Sequence, residues 1–346
     1  MASILYLSTD EGIVTVRSEN GSRWKVEDHG LKDWSVTEAA VVASAPNRVF
    51  AGTRGDGVWL SEDFGKSWKK PSYGKYGPGK VRCITIDSHD PTTLYAGAEP
   101  IDVFVSRDSG KRWIKLDSVW NVPWVESVPY PGASVEPHVR DIAVDPKNPK
   151  KIYIALQVGY MLKSTDGGAS WKLLNRDIDA DVHTIAINPT DPDNLVIATG
   201  GSDSRNGHVK GRALYGSNDA GESWAAMAME FTQEYSVPLA MHPKDPNLLF
   251  TALAHGNPGK WRRPTGAESV MIRSKNGGKT WEKLERGLSE PSKSFVQAIA
   301  LDETQPEHLY AATKSGKLYE SHDSGDTWAK MDVEVSSVSD MKFVQA

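Results

Sequence analysis

Strand-length apolar runs recur along the whole chain, separated by turns rich in proline, glycine, aspartate and asparagine. Val139-Arg140-Asp141-Ile142-Ala143-Val144 leads into the turn Asp145-Pro146-Lys147-Asn148-Pro149, and a second run follows, Ile152-Tyr153-Ile154-Ala155. Related units have their turns at residues 87–91, 188–192, 242–246 and 302–306. Short apolar runs bounded by turn residues predict strands, because an amphipathic helix needs a longer stretch with a 3.6-residue period. No run approaches the roughly 20 apolar residues of a membrane-spanning helix, so no membrane insertion is expected.

A motif closes each unit: Ser-x-Asp-x-Gly-x-Ser/Thr-Trp or a close variant. It stands at Ser61–Trp68, Ser106–Trp113, Ser164–Trp171, Ser217–Trp224, Ser274–Trp281 and Ser321–Trp328, and a seventh copy, Ser18–Trp24, is one residue short. The tryptophans lie 44 to 58 residues apart, the length of a four-stranded propeller blade. The residue types suit a tight turn. A carboxylate or amide accepts from nearby backbone N–H groups, and glycine supplies positive φ. Asp63, Asp108, Asp166, Asp219 and Asp323 are therefore expected to be structural, with Asn20 and Asn276 doing the same work. Each repeat reads as strand a, proline turn, strand b, variable loop, strand c, box, strand d.

The two ends predict how the ring shuts. The chain opens on a b-type strand, Ile4-Leu5-Tyr6-Leu7, and finishes on an a-type strand, Val338 to Phe343. The expected fold is all-β: one seven-bladed β-propeller over residues 1–346, with one blade closed by strands from both termini.

These boxes resemble the BNR/Asp-box superfamily over the whole chain. That group includes sialidases, xyloglucan-type glycoside hydrolases, sortilin-like receptor domains and photosystem II assembly factors. Length and blade number resemble the assembly factors and uncharacterised bacterial sialidase-like, glycosyl hydrolase BNR proteins best. The six-bladed sialidases carry an Arg-Ile-Pro tripeptide that is missing here, and the xyloglucan hydrolases carry two propellers. Sortilin-like domains have ten blades and a cysteine-rich appendage. The resemblance implies the fold and leaves the function open.

The repeat also orients the ring. Proline turns and boxes share one rim; the b–c and d–a connections share the other, and that rim carries three insertions. These are Asp117 to Pro137, Gly200 to Arg212 (with Asp203, Arg205, His208 and Lys210) and His255 to Ser269. Long loops on a rigid scaffold are where binding or catalysis is expected. Trp120, Trp124 and Trp261 fall there, suited either to a sugar or protein partner or to stapling the loops down. Around the channel mouth the pattern places Arg82, His138, Arg140 and His183 at inner-strand entries, and Arg54, Glu99 and Gln157 in b–c loops. Glu136, Asp181 and His255 lie beside them. A concave mouth lined this way is the expected ligand site. His89, His242, His308 and His322 belong to turns or boxes and read as structural.

Composition narrows the chemistry. Net charge is −5 with 25% charged residues, so no strongly basic face is implied and nucleic acid is not expected as a partner. The single cysteine, Cys83, permits no internal disulfide and suits a buried strand position. Residues 1–8 lack the basic and long apolar regions of a signal peptide, which makes the cytoplasm the expected compartment. A binding or assembly scaffold that engages a protein or small polar ligand at this mouth is the first expectation. The alternative is an enzyme, glycoside hydrolase-like or a metal-dependent hydrolase or lyase, acting there on a carbohydrate or small polar substrate. For the latter, His138, His183 and His255 are the candidate ligands of a divalent metal, although no local metal motif joins them.

Overall fold

The computed structural model describes residues 2–21, 23–71, 76–128, 136–202, 213–288 and 293–346. Its strands form seven small antiparallel sheets. Blades 1 to 6 begin at the inner strands Val36–Val42, Val81–Ile86, Val139–Asp145, Val182–Ile187, Tyr235–Met241 and Val296–Leu301. Blade 7 takes its inner strand, Val338–Gln345, from the C-terminal end and the strands Ser3–Thr9, Gly12–Ser18 and Lys25–Gly30 from the N-terminal end. Each inner strand packs against those of both neighbours, so the ring is complete. The clasp pairs Ser3 with Gln345 at one end and Thr9 with Val338 at the other. The predicted seven-bladed propeller and its closure are what the chain forms.

Blade 1 departs from the four-strand plan. Its sheet has three strands, and the fourth is reduced to one bridge between Leu60 and Lys69. Pro71 follows closely and has no N–H with which to continue the ladder.

The boxes behave as their residue types require. Asp63 Oδ1 accepts from Ser67 N at 2.9 Å and from Ser61 Oγ at 2.8 Å, Oδ2 accepts from Ser67 Oγ at 2.6 Å, and Ser61 Oγ accepts from Gly65 N at 2.8 Å. Asp166, Asp219 and Asp323 repeat these bonds, and Asn276 substitutes its amide. The turn places two successive residues at positive φ, as at Ala220 (57°) and Gly221 (85°). A Cβ at Gly221 would also meet Leu174 Cδ1 at 2.9 Å. The short copy differs: Trp24 Nε1 donates to Glu320 of blade 6, whereas Trp68, Trp113, Trp224, Trp281 and Trp328 donate to their own box glycine.

The core is a series of interblade layers. The strands Asn148–Leu156, buried from Ile152 onward, and Leu195–Thr199, buried throughout, illustrate the second strands of the blades. Cys83 is buried in its strand, as expected. Among the described residues no helix is long and apolar enough to cross a membrane.

Candidate functional site

The inner strands share a device that the sequence pattern did not reveal. Every one carries a β-bulge near its entry, seen as register shifts at Val36/Glu38, Val81/Cys83, Val139/Asp141, Val182/Thr184, Ser236/Leu239, Val296/Ala298 and opposite Ser8/Thr9. A bulge adds a residue to one strand and re-aims its side chain. Arg82, Arg140, His183 and Gln297 occupy the bulged positions and line a channel cavity of about 890 Å³, together with Arg54.

Blades 1 to 3 build a cationic mouth. Glu99, only 7% exposed, accepts from Arg82 Nη1 at 2.8 Å and Arg54 Nη2 at 3.4 Å. Two guanidinium groups thus share one carboxylate, and the third, Arg140, forms no ion pair with the described residues. Burial, followed by repulsion from Arg140 and Arg54, lowers the Arg82 pKa to about 10. His138 is buried beside them. Its Nδ1 lies 2.9 Å from the Glu136 carbonyl, which is the role Glu136 plays here. Burial, followed by the charges of Arg82 and Arg140, lowers the His138 pKa to about 2, so the ring is neutral. Among the described residues, His138 Nε2, Arg140 Nε and Gln157 Oε1 are buried without a hydrogen-bond partner. Buried polar atoms are normally satisfied, so three such atoms clustered at one mouth point to a ligand or solvent.

The proposed metal set is not assembled. Among the described residues no group of three His, Cys, Asp or Glu side chains converges on a common point. His138 lies among arginines, whose charge repels a cation. His183 is held between Ser236 O (2.6 Å from Nδ1) and Asp181 Oδ1 (3.3 Å from Nε2). His255 faces Glu234, 3.7 Å away. Each ring is committed to its own neighbourhood.

Two of the three candidate tryptophans are staples. Trp124 Nε1 donates to Gly159 O at 3.0 Å, and its ring meets Tyr160. Trp261 donates to His255 O and Gly256 O and stacks on Phe295, 4.8 Å between centroids. Trp120 remains 37% exposed, tied to Asp102 through Nε1. The described part of the first insertion is likewise structural. Val119, Val122, Val125 and Val128 recur every third residue through two 3₁₀ turns and bury themselves between blades 2 and 3. That three-residue apolar period was visible in the sequence and was missed. Asp203, Arg205, His208 and Lys210 of the second insertion lie outside the described residues.

Deeper in the channel, polar side chains lace the inner strands together. Ile84 N donates to Glu38 Oε2 (3.1 Å), Ile185 N to Asp141 Oδ2 (2.8 Å) and Ala39 N to Asp340 Oδ2 (3.3 Å). Thr37, Thr85 and Thr184 donate to the carbonyls of Val81, Ile142 and Val237 on the next blades. Lys342 Nζ bridges Glu38 (3.0 Å) and Asp340 (3.3 Å). Burial, with Asp340 and Asp141 adding to it, raises the Glu38 pKa to about 7; burial raises that of Asp141 to about 6. Burial alone would lower the Lys342 pKa, but the Asp340 and Glu38 carboxylates outweigh it and hold the ammonium charged. None of this group was singled out from the sequence.

Comparison with known proteins fits this architecture. Xyloglucanase Xgh74A of Acetivibrio thermocellus is 32% identical over 121 residues, covering 32% of this chain and 14% of that protein. An ancestral GH74 enzyme superposes with a TM-score of 0.65 at 14% identity, covering 90% of this chain and 38% of its own. YCF48 bound to D1 peptide superposes with a TM-score of 0.57 at 14% identity, covering 86% and 81%. At such identities the structural likeness carries the fold alone. The chain spans well under half of the xyloglucanase and of the ancestral GH74 enzyme. A family model described as "Sortilin, neurotensin receptor 3" matches residues 159–290 and 269–345, together more than half of the chain. The chain therefore belongs to the sortilin–Vps10 family, within the BNR-type seven-bladed propellers.

Proposed function

We propose that this propeller is a binding scaffold whose ligand presents a carboxylate or another anion to the mouth over blades 1 to 3. One observation carries the proposal: Arg54 and Arg82 share a single carboxylate, Glu99, while Arg140 beside them has no ion pair and a buried Nε without a hydrogen-bond partner among the described residues. A guanidinium held in a partly dry cavity favours an incoming anion, and bidentate geometry adds selectivity for a planar carboxylate. Other carboxylates on this rim are already engaged: Asp56 with Lys70, Asp102 with Lys115, Asp181 with His183. The ligand class is a protein segment with acidic or C-terminal carboxylates, or a small acid. The test is fluorescence polarisation with acidic, neutral and basic peptides at two salt concentrations. Acidic probes should bind best, weaken with salt, and lose roughly tenfold or more in Arg140→Ala. Equal binding of neutral and acidic probes would overturn the proposal.

A second possibility, a carbohydrate-active enzyme, draws on the local match to a xyloglucanase and on Glu38, whose pKa of about 7 suits a general acid in a cavity. Release of reducing ends from xyloglucan, abolished in Glu38→Gln, would favour it over the scaffold.

A further inference from the structure

On the opposite rim, blade 6 brings two histidines together. Leu309 and Ser321 are paired across strands b and c, so His308 and His322 form the next rung outward. His308 Nε2 lies 3.2 Å from His322 Nδ1, with ring centroids 4.3 Å apart and planes at 71°. His322 is exposed and His308 half-buried. Behind them, His322 Nε2 faces Glu320 Oε2 at 3.5 Å, and that oxygen also accepts from Trp24 Nε1 at 2.9 Å. Glu320 is itself largely buried, its side chain 14% exposed.

The same rung exists in the neighbouring blades, defined by the pairs Val49–Ser61, Leu94–Ser106, Ile152–Ser164, Leu195–Ser217 and Leu249–Ser274. It holds Arg48 with Glu62 in blade 1, 3.9 Å apart, then Thr93 with Arg107, Lys151 with Thr165, Asn194 with Asn218 and Leu248 with Lys275. The scaffold therefore needs no imidazole at this position, and blade 6 places one on each strand.

Two nitrogens bound to one metal at about 2.0–2.1 Å stand about 2.9 Å apart at a right angle and about 3.3 Å apart at a tetrahedral angle. The observed 3.2 Å falls between. The carboxylate behind His322 supplies the outer-shell partner of a metal-bound imidazole, accepting the Nε2 proton and leaving Nδ1 as the donor atom. We propose that His308 and His322 bind one divalent transition-metal ion, with solvent completing the coordination. By the usual order of divalent affinities for nitrogen ligands, copper binds tighter than nickel or zinc. The site lies across the ring from the arginine mouth and does not depend on what binds there.

The test uses the untagged full chain, stripped with a chelator and exchanged into buffer. CuCl₂ and ZnCl₂ are titrated by calorimetry, and the copper form is examined by electron paramagnetic resonance. One ion per chain is expected, with superhyperfine structure from two imidazole nitrogens. His308→Ala and His322→Ala should each weaken binding at least about tenfold, and Glu320→Gln by roughly tenfold. His308→Gln/His322→Gln, which preserves polarity at an exposed rung, checks that lost binding is not lost folding, with the metal-free melting temperature as control. An unchanged stoichiometry and Kd in the double variant, or no binding tighter than millimolar by the native chain, overturns the proposal.

Discussion

The two rims of the ring treat polar atoms in opposite ways. On the box rim, each aspartate oxygen has donors from its own eight-residue turn, and the turn closes on itself. At the mouth, His138 Nε2, Arg140 Nε and Gln157 Oε1 are buried without partners among the described residues, and Arg54 and Arg82 share one carboxylate with Arg140 beside them. The boxes, conspicuous in the sequence, satisfy their own hydrogen bonds. The rim with unmet hydrogen-bonding capacity is the candidate site.

Mutations separate the two rims. The largest effect is expected where the mouth is structurally essential. Glu99→Ala leaves Arg82 facing Arg54 and Arg140 with no counter-charge and should cost about 3 kcal/mol in urea unfolding. On the box rim, Asp219→Ala removes three hydrogen bonds and should cost about 2 kcal/mol. Asp219→Asn should cost far less, because Asn276 already fills that place in blade 5. The side chain and N–H of Ser223 hold the Asp219 pKa at about 2, below its unfolded value. Its contribution is thus present above about pH 4 and lost as pH falls towards 2, an acid limb that Asp219→Asn should reduce.

The channel gives the opposite sign. Glu38 has a folded pKa near 7, above its unfolded value, so its contribution is complete below about pH 4.5 and is lost as pH rises to about 7. Glu38→Gln should flatten that decline, worth a few kcal/mol at most, measured as melting temperature from about pH 4 to 8. The smallest effect on stability belongs to Arg140→Ala. With no ion pair to lose and a like charge removed, its unfolding free energy should stay within about 0.5 kcal/mol of the native value while binding of acidic probes falls. A loss of 2 kcal/mol or more would mean that the mouth, too, is scaffold.

Fold and site were legible to different depths. The boxes were readable because a turn is local: Ser61, Asp63, Gly65 and Trp68 carry their own geometry within eight residues. Ring closure followed from the strand types at the two ends. Arg82 and Arg140 could be put at strand entries beside the channel, since the repeat fixes where inner strands begin. Side-chain direction was beyond the same reasoning. The bulges that aim those arginines inward leave no mark in an apolar pattern, and the lacing by Glu38, Asp141 and Asp340 depends on which neighbouring strand offers its N–H. His138, His183 and His255 share a rim but not a point, because blade-to-blade distance is not written in residue spacing. Trp124 and Trp261 turned inward because an indole finds more to cover beneath a loop than above it.

The clasp in blade 7 has a consequence for synthesis. Ser3 cannot pair with Gln345 until nearly the whole chain has left the ribosome, so the first strands emerge long before their inner partner. Contacts this distant in sequence raise contact order and carry the loop-closure entropy of the entire ring. Blades 1 to 6 can stack as they appear, while Ser3–Thr9 waits with an unpaired edge, the kind of surface that pairs wrongly with other chains. The nascent propeller is thus most exposed to misassembly at the first-made strand of its ring, and Val338–Gln345 both completes the ring and ends that exposure.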